Sequence, residues 1–111
     1  MFKIAVAGTG YVGLVTGVCL AEVGNKVTCV DIDEEKINLM KKGTSPIYEA
    51  GLEELMQKNY AAGRVDYTTD YKSAYKDADA IFIGVGTPER PDGSADLSYI
   101  ATVARQIAET I

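Results

Sequence analysis

Apolar and polar positions along the chain follow two alternating patterns. Short apolar or β-branched runs of strand length occupy 3–7, 26–30 and 64–68, and the most continuously apolar run, 80–85, predicts a central strand. Segments with helical spacing separate these runs. The alternation predicts right-handed crossovers and a parallel sheet, with the strands in the order 3-2-1-4. We therefore expect an α/β protein with a Rossmann-type doubly wound sheet.

The first helix is predicted from Val12, and Gly24 with Asn25 marks its end. Apolar or small side chains recur at helical spacing and predict the buried face of this helix: Val12, Val15, Thr16, Cys19, Leu20 and Val23.

The second helix has consistent signals at both ends. Asp33 is a typical N-cap, acidic residues follow in the first turn, and Gly43 is a typical stop. The residues 44–50 read as a loop, and the helix after it carries Leu52, Leu55 and Met56 and closes near Gly63.

Two further helices are predicted in the second half of the chain. Asp70 caps a brief helical turn, and the proline-containing segment 86–94 reads as a loop. Asp96 caps the last helix, whose predicted apolar face comprises Leu97, Ile100, Ala101, Ala104, Ile107, Ala108 and Ile111.

Charge and composition exclude several classes of protein. The 111 residues suit one domain, and their net charge of −5 disfavours nucleic acid and anionic membranes as partners. No run of about 18 apolar residues and no signal peptide occurs, so we expect a cytoplasmic protein that does not enter a membrane. Histidine is absent, and Cys19 and Cys29 lie in apolar segments, where buried, reduced thiols are expected.

A glycine motif, Gly8-Thr9-Gly10-Tyr11-Val12-Gly13, joins the first strand to the first helix. By itself G-x-G-x-x-G is also compatible with a simple tight turn. In this position Gly8 permits the turn, Gly10 lets a pyrophosphate approach the backbone, and Gly13 lets the helix pack closely on the sheet. Backbone N–H groups at the helix start would bind the phosphates, so an acidic protein can hold this anion.

Asp31 lies 18 positions after Gly13, at the end of the second strand. A carboxylate there accepts hydrogen bonds from the adenosine ribose and repels a 2′-phosphate, so the sequence favours NAD over NADP. Lys36 could reach the same ribose from the next helix, and an exposed helical lysine is an equally good interpretation.

Thr87 follows the fourth strand, near the expected reversal of strand order, where ligands of open α/β sheets bind. It could line the nicotinamide half of a dinucleotide, although the spacing fits an ordinary turn residue equally well. The seven tyrosines show no spacing typical of a general acid, so packing and surface roles are expected for them. The residues predict a cofactor site without a catalytic centre.

Four ordered motifs, which span essentially the whole chain, are more specific than the glycine loop alone. These are 8–14, 31–33 with Lys36, 45–52, and 85–88 leading to 92–97. Together they resemble the amino-terminal NAD-binding domain of the UDP-glucose/GDP-mannose dehydrogenase family, and within it the UDP-glucose 6-dehydrogenases. The GDP-mannose and UDP-N-acetylmannosamine enzymes fit the later motifs less closely.

The resemblance implies a cofactor, a substrate and a set of contacts. It implies that UDP-glucose is oxidised to UDP-glucuronate with two NAD, through a cysteine thiohemiacetal and thioester, in a homo-oligomeric enzyme. By matched position the residues that contact NAD are Gly8, Gly10, Tyr11, Val12, Gly13, Asp31, Lys36 and Thr87. The family's cysteine lies in a downstream Gly-rich motif that this chain lacks, so neither Cys19 nor Cys29 inherits that role.

The first hypothesis is therefore that residues 1–111 are an NAD-binding domain cut from a longer dehydrogenase, which binds NAD and is inactive alone. An NAD-sensing module, such as those of potassium transport systems, is a second hypothesis. It shares the glycine loop and the strand-end acid but not the 85–97 motif. A dehydrogenase of another sugar nucleotide is the third.

Overall fold

A computed structural model describes residues 2–47, 49–84, 91–92 and 97–110 of the chain. Strands and helices alternate through most of this part. The elements are β1 (Lys3–Ala7), α1 (Tyr11–Glu22), β2 (Lys26–Val30), α2 (Glu34–Lys41), α3 (Leu52–Ala61), β3 (Val65–Thr68), α4 (Tyr71–Lys76), β4 (Ala80–Ile83) and α5 (Ser98–Thr110).

The four strands form one parallel sheet in the order β3-β2-β1-β4, which confirms the predicted topology. The register aligns the last residues of the strands, because Ala7 lies opposite both Val30 and Ile83, and Val30 lies opposite Thr68. The loops that follow these strands therefore emerge side by side along one edge of the sheet.

Alternate residues of β1 enter two separate hydrophobic cores. Ile4 and Val6 pack with apolar residues of α1, α2 and α3, whereas Ala5 and Ala7 pack on the other face with residues of α4 and α5. This two-residue alternation is what a strand covered on both faces requires. The fold is therefore the predicted α/β Rossmann-type sheet with helices on both sides.

The predicted buried face of α1 is correct only in part, because Val15 and Leu20 are half-buried and pack against the first core but other members of the face are exposed. Val12 is 67% exposed, and Cys19 and Val23 are also exposed, whereas the residues that face the sheet are Gly13, Leu14, Gly17, Val18 and Ala21. The true face includes two glycines, which a count of apolar side chains does not register. Because the glycines have no side chain, the helix backbone lies close to the sheet at these positions. The larger buried residues beside them, Leu14 and Val18, make the side-chain contacts with the core.

The prediction that 80–85 forms a central strand is also wrong. Among the described strands β4 lies at one edge, and Phe82 is 44% exposed. Although the residues of β4 are apolar, within the described part of the chain β1 is the only strand that pairs with β4.

The predicted face of α5 is correct in part. Ile100 and Ile107 are half-buried, but the residue most buried is Val103, and Leu97 is exposed. The three alanines predicted on this face are also exposed, namely Ala101, Ala104 and Ala108. The contact with α4 and the sheet thus includes Val103 and Ile107.

The predicted helix ends agree with the structure where it describes them. The Asp33 carboxylate accepts the N–H groups of Glu35 and Lys36 at 3.0 and 3.2 Å, and Gly43 ends α2 with φ of 88°. Asp70 caps α4 by accepting the N–H of Ser73. Several predictions fall outside the described residues, namely those on Tyr48, Val85, 86–90 with Thr87, 93–95, Asp96 and Ile111.

The two cysteines are both free thiols but differ in exposure. Cys29 is fully buried in the first core, as expected, whereas Cys19 is exposed, which corrects the prediction that both are buried. Burial, with a smaller contribution from the nearby Asp66 charge, raises the pKa of the Cys29 thiol to about 12. Cys29 is therefore a packing residue rather than a nucleophile.

Gly13 lies where α1 crosses the end of β1. A Cβ atom at Gly13 would lie 2.2 Å from the carbonyl oxygen of Gly8 and 3.4 Å from that of Gly84. A Cβ atom at Gly84 would in turn lie 2.6 Å from Cα of Gly13. The start of α1 therefore contacts β1 and β4 through backbone atoms, as predicted for Gly13.

We expect Gly13→Ala to lower the free energy of unfolding by about 1–3 kcal/mol or more, because the rigid backbone of Gly8 cannot move aside. Chemical denaturation monitored by circular dichroism measures this. Gly10→Ala is the matched control, since a Cβ atom there meets nothing within 4 Å. Its loss should be about 1 kcal/mol or less, from the weaker N-cap. Equal stability of Gly13→Ala and the unsubstituted chain would contradict the packing role.

Candidate functional site

A cavity of about 420 Å³ opens at the carboxyl edge of the sheet. Its floor is formed by the turn after β1 and the residues that follow β2, and its far wall comes from α4 and α5. The volume lies in the range of small-molecule sites. The cavity is thus at the position where open α/β sheets bind their ligands.

The turn after β1 is fixed by backbone geometry. Gly8 has φ of 95°, a left-handed conformation that favours glycine, and its N–H donates to the carbonyl of Val30 at 2.7 Å. This bond ties the start of the glycine loop to the end of β2. The prediction that Gly8 permits the sharp turn is confirmed.

Gly10 is the N-cap of α1, and the fold gives no steric reason for a glycine there. Its φ of −71° is accessible to any residue, and among the described residues no atom lies within 4 Å of the position that a Cβ atom would take. Because the space in front of Gly10 is open, the missing side chain leaves room for a group that comes from outside the chain. A pyrophosphate that approaches the backbone fits this space.

The N-terminus of α1 differs from those of the next three helices. Gly10 makes no side-chain cap, and the first turn of α1 holds no acidic residue. In contrast, α2 and α4 are capped by Asp33 and Asp70, and α3 has Glu53 and Glu54 in its first turn. The N–H groups and positive dipole end of α1 are therefore left for an external anion.

Asp31 accepts four hydrogen bonds within the described part of the chain. Its Oδ2 accepts the Thr9 hydroxyl at 2.5 Å, the Thr9 N–H at 3.1 Å and the Lys36 ammonium at 3.3 Å. Its Oδ1 accepts the N–H of Asp33 at 3.0 Å. The side chain of Asp31 is 13% exposed, so the carboxylate forms part of the cavity wall in a defined orientation.

The hydrogen bonds keep this carboxylate ionised. Burial alone raises the pKa of Asp31, but the bonds from Thr9 and Asp33, together with the Lys36 charge, outweigh it and hold the pKa below its ordinary value. At neutral pH Asp31 is therefore an acceptor only and presents a negative charge to the cavity.

Lys36 lies within the site rather than on an unrelated surface. Its side chain is 31% exposed, lines the cavity and pairs with Asp31. Of the two interpretations of the sequence, this arrangement fits the one that places Lys36 beside a bound ribose.

The residues of the far wall of the cavity were not predicted from the sequence. Tyr71 and Tyr75, one turn apart on α4, line it together with Thr102 and Gln106 of α5. Burial, with a smaller effect of Tyr71, raises the pKa of Tyr75 to about 12, so this wall is neutral. The i, i+4 spacing of two tyrosines in the helix after β3 was the available signal, but it did not show that α4 faces the cavity.

Other predicted residues lie beside the cavity or outside the described chain. Tyr11, Val12 and Gly13 do not line it, although their N–H groups form the open helix start. The Tyr11 hydroxyl donates to Glu49, and this bond is the main cause of a raised pKa of Tyr11. Thr87 falls outside the described residues, so its predicted contact stays a prediction.

In the ranges given above, no group of three or more His, Cys, Asp or Glu side chains is placed to hold a metal ion. Among the described helices, none is both long and apolar enough to cross a bilayer.

Known proteins are similar to this chain in sequence and in fold. Residues 2–111 match the NAD binding domain of the UDP-glucose/GDP-mannose dehydrogenase family. The UDP-glucose 6-dehydrogenase YwqF of Bacillus subtilis (strain 168) is 56% identical over 98% of this chain and 25% of its own length. The GDP-mannose 6-dehydrogenase of Pseudomonas aeruginosa is 47% identical over 98% of this chain and 25% of its own length.

A crystal structure of a ternary complex of GDP-mannose dehydrogenase from Pseudomonas aeruginosa is similar in fold. It superimposes with a TM-score of 0.92 and 48% identity over 95% of this chain and 24% of that protein. The present chain thus spans about a quarter of the length of the relatives it matches. With the glycine turn, the open start of α1 and the strand-end Asp31 in place, the chain belongs to the UDP-glucose/GDP-mannose dehydrogenase family and corresponds to its NAD-binding domain.

Proposed function

We propose that the cavity at the carboxyl edge of the sheet binds NAD through the residues predicted from the sequence. The observation that carries this proposal is the N-terminus of α1 beside Gly10, where the described residues leave open space and no side chain caps the helix. The backbone N–H groups of Tyr11, Val12 and Gly13 bind the pyrophosphate, with Gly8 and Gly10 shaping the turn. Thr87 is proposed to line the nicotinamide half.

Asp31 and Lys36 are proposed to select the adenosine ribose. The Asp31 carboxylate accepts a ribose hydroxyl, and its negative charge repels the 2′-phosphate of NADP. Lys36, paired with the same carboxylate, donates to the ribose and partly screens that charge. The neutral wall of Tyr71 and Tyr75 suits an uncharged aromatic base.

We further propose that the whole enzyme oxidises UDP-glucose to UDP-glucuronate. NAD supplies the hydride acceptor, so two NAD and one water convert the C6 alcohol to a carboxylate, releasing two NADH and three protons. The substrate assignment rests on relatives such as the 56% identical UDP-glucose 6-dehydrogenase. A homo-oligomer in the cytoplasm is proposed for the whole enzyme.

GDP-mannose is the second candidate substrate, because two relatives that act on it by name are 46% and 47% identical to this chain. The difference in identity favours UDP-glucose. Assays of the complete gene product with each sugar nucleotide separate the two, and oxidation of GDP-mannose alone would overturn the first assignment.

The residues 1–111 alone are proposed to bind NAD without oxidising a sugar. Cys29 is buried and Cys19 lies on α1 outside the cavity lining, so neither thiol is placed to capture an aldehyde next to the cofactor. We expect no absorbance increase at the NADH wavelength when the chain is mixed with NAD and UDP-glucose. Steady NADH formation would contradict this proposal.

We expect Asp31→Ala to weaken NAD binding by about tenfold or more and to leave NADP binding unchanged or improved, since it removes both the acceptor and the repelling charge. Isothermal titration calorimetry with both nucleotides measures the ratio of NAD affinity to NADP affinity. Asp33→Ala is the matched control, because Asp33 caps α2 only two residues away. It should lose about 1 kcal/mol of stability and keep the NAD to NADP ratio. An unchanged ratio in Asp31→Ala would refute the assignment.

We expect Gly10→Ala to remain folded and to bind NAD at least about tenfold more weakly, because its Cβ atom occupies the open space before the helix start. Calorimetry measures the affinity, and thermal unfolding verifies the fold. If a folded Gly10→Ala variant binds NAD normally, the pyrophosphate does not approach this part of the backbone.

A further inference from the structure

Thr9 occupies a variable position of the glycine motif, yet it is fully buried, with 0% exposure. Its hydroxyl and its N–H both donate to the same oxygen of Asp31, Oδ2, at 2.5 and 3.1 Å. Glycine or alanine at this position could supply only the backbone bond. The side chain therefore adds a second link between the glycine turn and the strand-end carboxylate.

The hydrogen bonds divide the two oxygens of Asp31 into different roles. A carboxylate has about four acceptor positions, about two on each oxygen. Oδ2 accepts three hydrogen bonds, so its acceptor positions are all used. Oδ1 accepts the N–H of Asp33 and, among the described residues, keeps an acceptor position available. Oδ1 is therefore the oxygen that can accept a hydrogen bond from a hydroxyl that enters the cavity.

We propose that Thr9 is a positioning residue for NAD recognition: its hydroxyl fixes the rotation of the Asp31 carboxylate and so presents Oδ1 to the ribose hydroxyls. This inference rests on the proposed role of Asp31 and extends it to a residue that does not itself need to touch the cofactor.

The physical reason is the soft torsion of an aspartate side chain. Rotation about χ2 of Asp has broad minima, so a carboxylate without fixed partners samples many orientations. The Thr9 hydroxyl holds it from the glycine turn, while Lys36 holds it from α2. An acceptor that is already oriented loses less entropy when a ligand binds, which increases affinity.

Few titratable groups surround Asp31 in the described part of the chain. Lys36 is the cation beside it, and Tyr71 and Tyr75 line the same cavity with pKa values raised mainly by a hydrogen bond to Glu109 and by burial, respectively. The Asp33 carboxylate is turned toward the N–H groups of α2. Since the pKa of Asp31 is held below its ordinary value, its protonation belongs to the acid end of the pH range, and among these groups it is the one that changes the charge of the cavity there.

The hydroxyl of Thr9 also affects the protonation of this carboxylate. Its bond is the largest of the contributions that lower the pKa of Asp31, against the opposing effect of burial. Replacing Thr9 by valine keeps the shape and the backbone bond but removes the hydroxyl, so the pKa of Asp31 rises. Because the ionised form accepts the ribose bond, the acid loss of NAD affinity then begins at a higher pH.

The test compares Thr9→Val and Thr9→Ser with the unsubstituted chain, by calorimetric titration with NAD and with NADP from pH 8 down to the lowest pH at which circular dichroism shows all three to be folded. We expect Thr9→Val to bind NAD about tenfold more weakly at pH 7, with NADP affinity within about twofold. The pH below which NAD affinity falls should be higher for Thr9→Val than for the unsubstituted chain. Thr9→Ser retains the hydroxyl and should match the unsubstituted chain within about threefold in both measurements.

Two results would overturn the inference. One is normal NAD affinity with an unchanged pH profile in folded Thr9→Val, and the other is an equal loss for NAD and NADP without a pH shift, as general destabilisation would cause. If Thr9→Val does not fold, Thr9→Ala supplies the same readouts, since it adds no bulk.

Asp31→Ala, measured in parallel, separates this inference from the proposed function. Unchanged binding by Asp31→Ala means that the proposed NAD site itself is wrong. Weakened binding by Asp31→Ala with normal Thr9→Val means that only the role of Thr9 is wrong.

Discussion

The backbone contact of Gly13 with Gly8 and Gly84 determines where the first helix can begin. Because no side chain separates these segments, the start of α1 lies directly over the ends of β1 and β4, and a Cβ atom at Gly13 would lie 2.2 Å from the Gly8 carbonyl. The turn between strand and helix is consequently short and has a single geometry. That geometry places the N-cap of α1, Gly10, in the lining of the cavity, with the N–H groups of the first helical turn beside it.

The same turn explains how an acidic chain can bind a negatively charged group. The chain carries a net charge of −5, yet its family binds a dinucleotide with a negatively charged pyrophosphate. Donors at the start of α1 come from the backbone and therefore do not depend on the sign of the surface charge. In the cavity wall, the Asp31 carboxylate accepts hydrogen bonds from Thr9 and Lys36, which orient it beside the glycine turn.

The sequence predicted the fold and part of the site for physical reasons that differ by element. Asp33, Gly43 and Asp70 act through local hydrogen bonds and dihedral angles, so their positions could be read from neighbouring residues alone. The strand order and the place of Asp31 followed from the regular alternation of strands and helices. The residues Thr87 and Asp96 lie outside the described chain and remain predictions.

The predictions that were wrong concern residues whose burial depends on tertiary packing rather than on the local spacing of apolar residues. Apolar spacing chose Val12 and Val23 for the buried face of α1, but Gly13 and Gly17 allow the closest approach and so define the face. The exposed Phe82 shows that an apolar run does not establish a central strand. Thr9 and Tyr71 were missed because their roles depend on which segments meet in space, which spacing along the chain does not contain.

The central claim is that the open start of α1 and the Asp31 carboxylate form one cofactor site. The most direct measurement is a titration of the ¹⁵N-labelled chain with NAD, followed by amide chemical shifts. We expect the largest shift changes at 9–13, 31–36 and the α4 residues that line the cavity, with small changes in the loop 44–47 and at α3. Saturable shifts confined to that loop and α3, with the glycine turn unaffected, would contradict it.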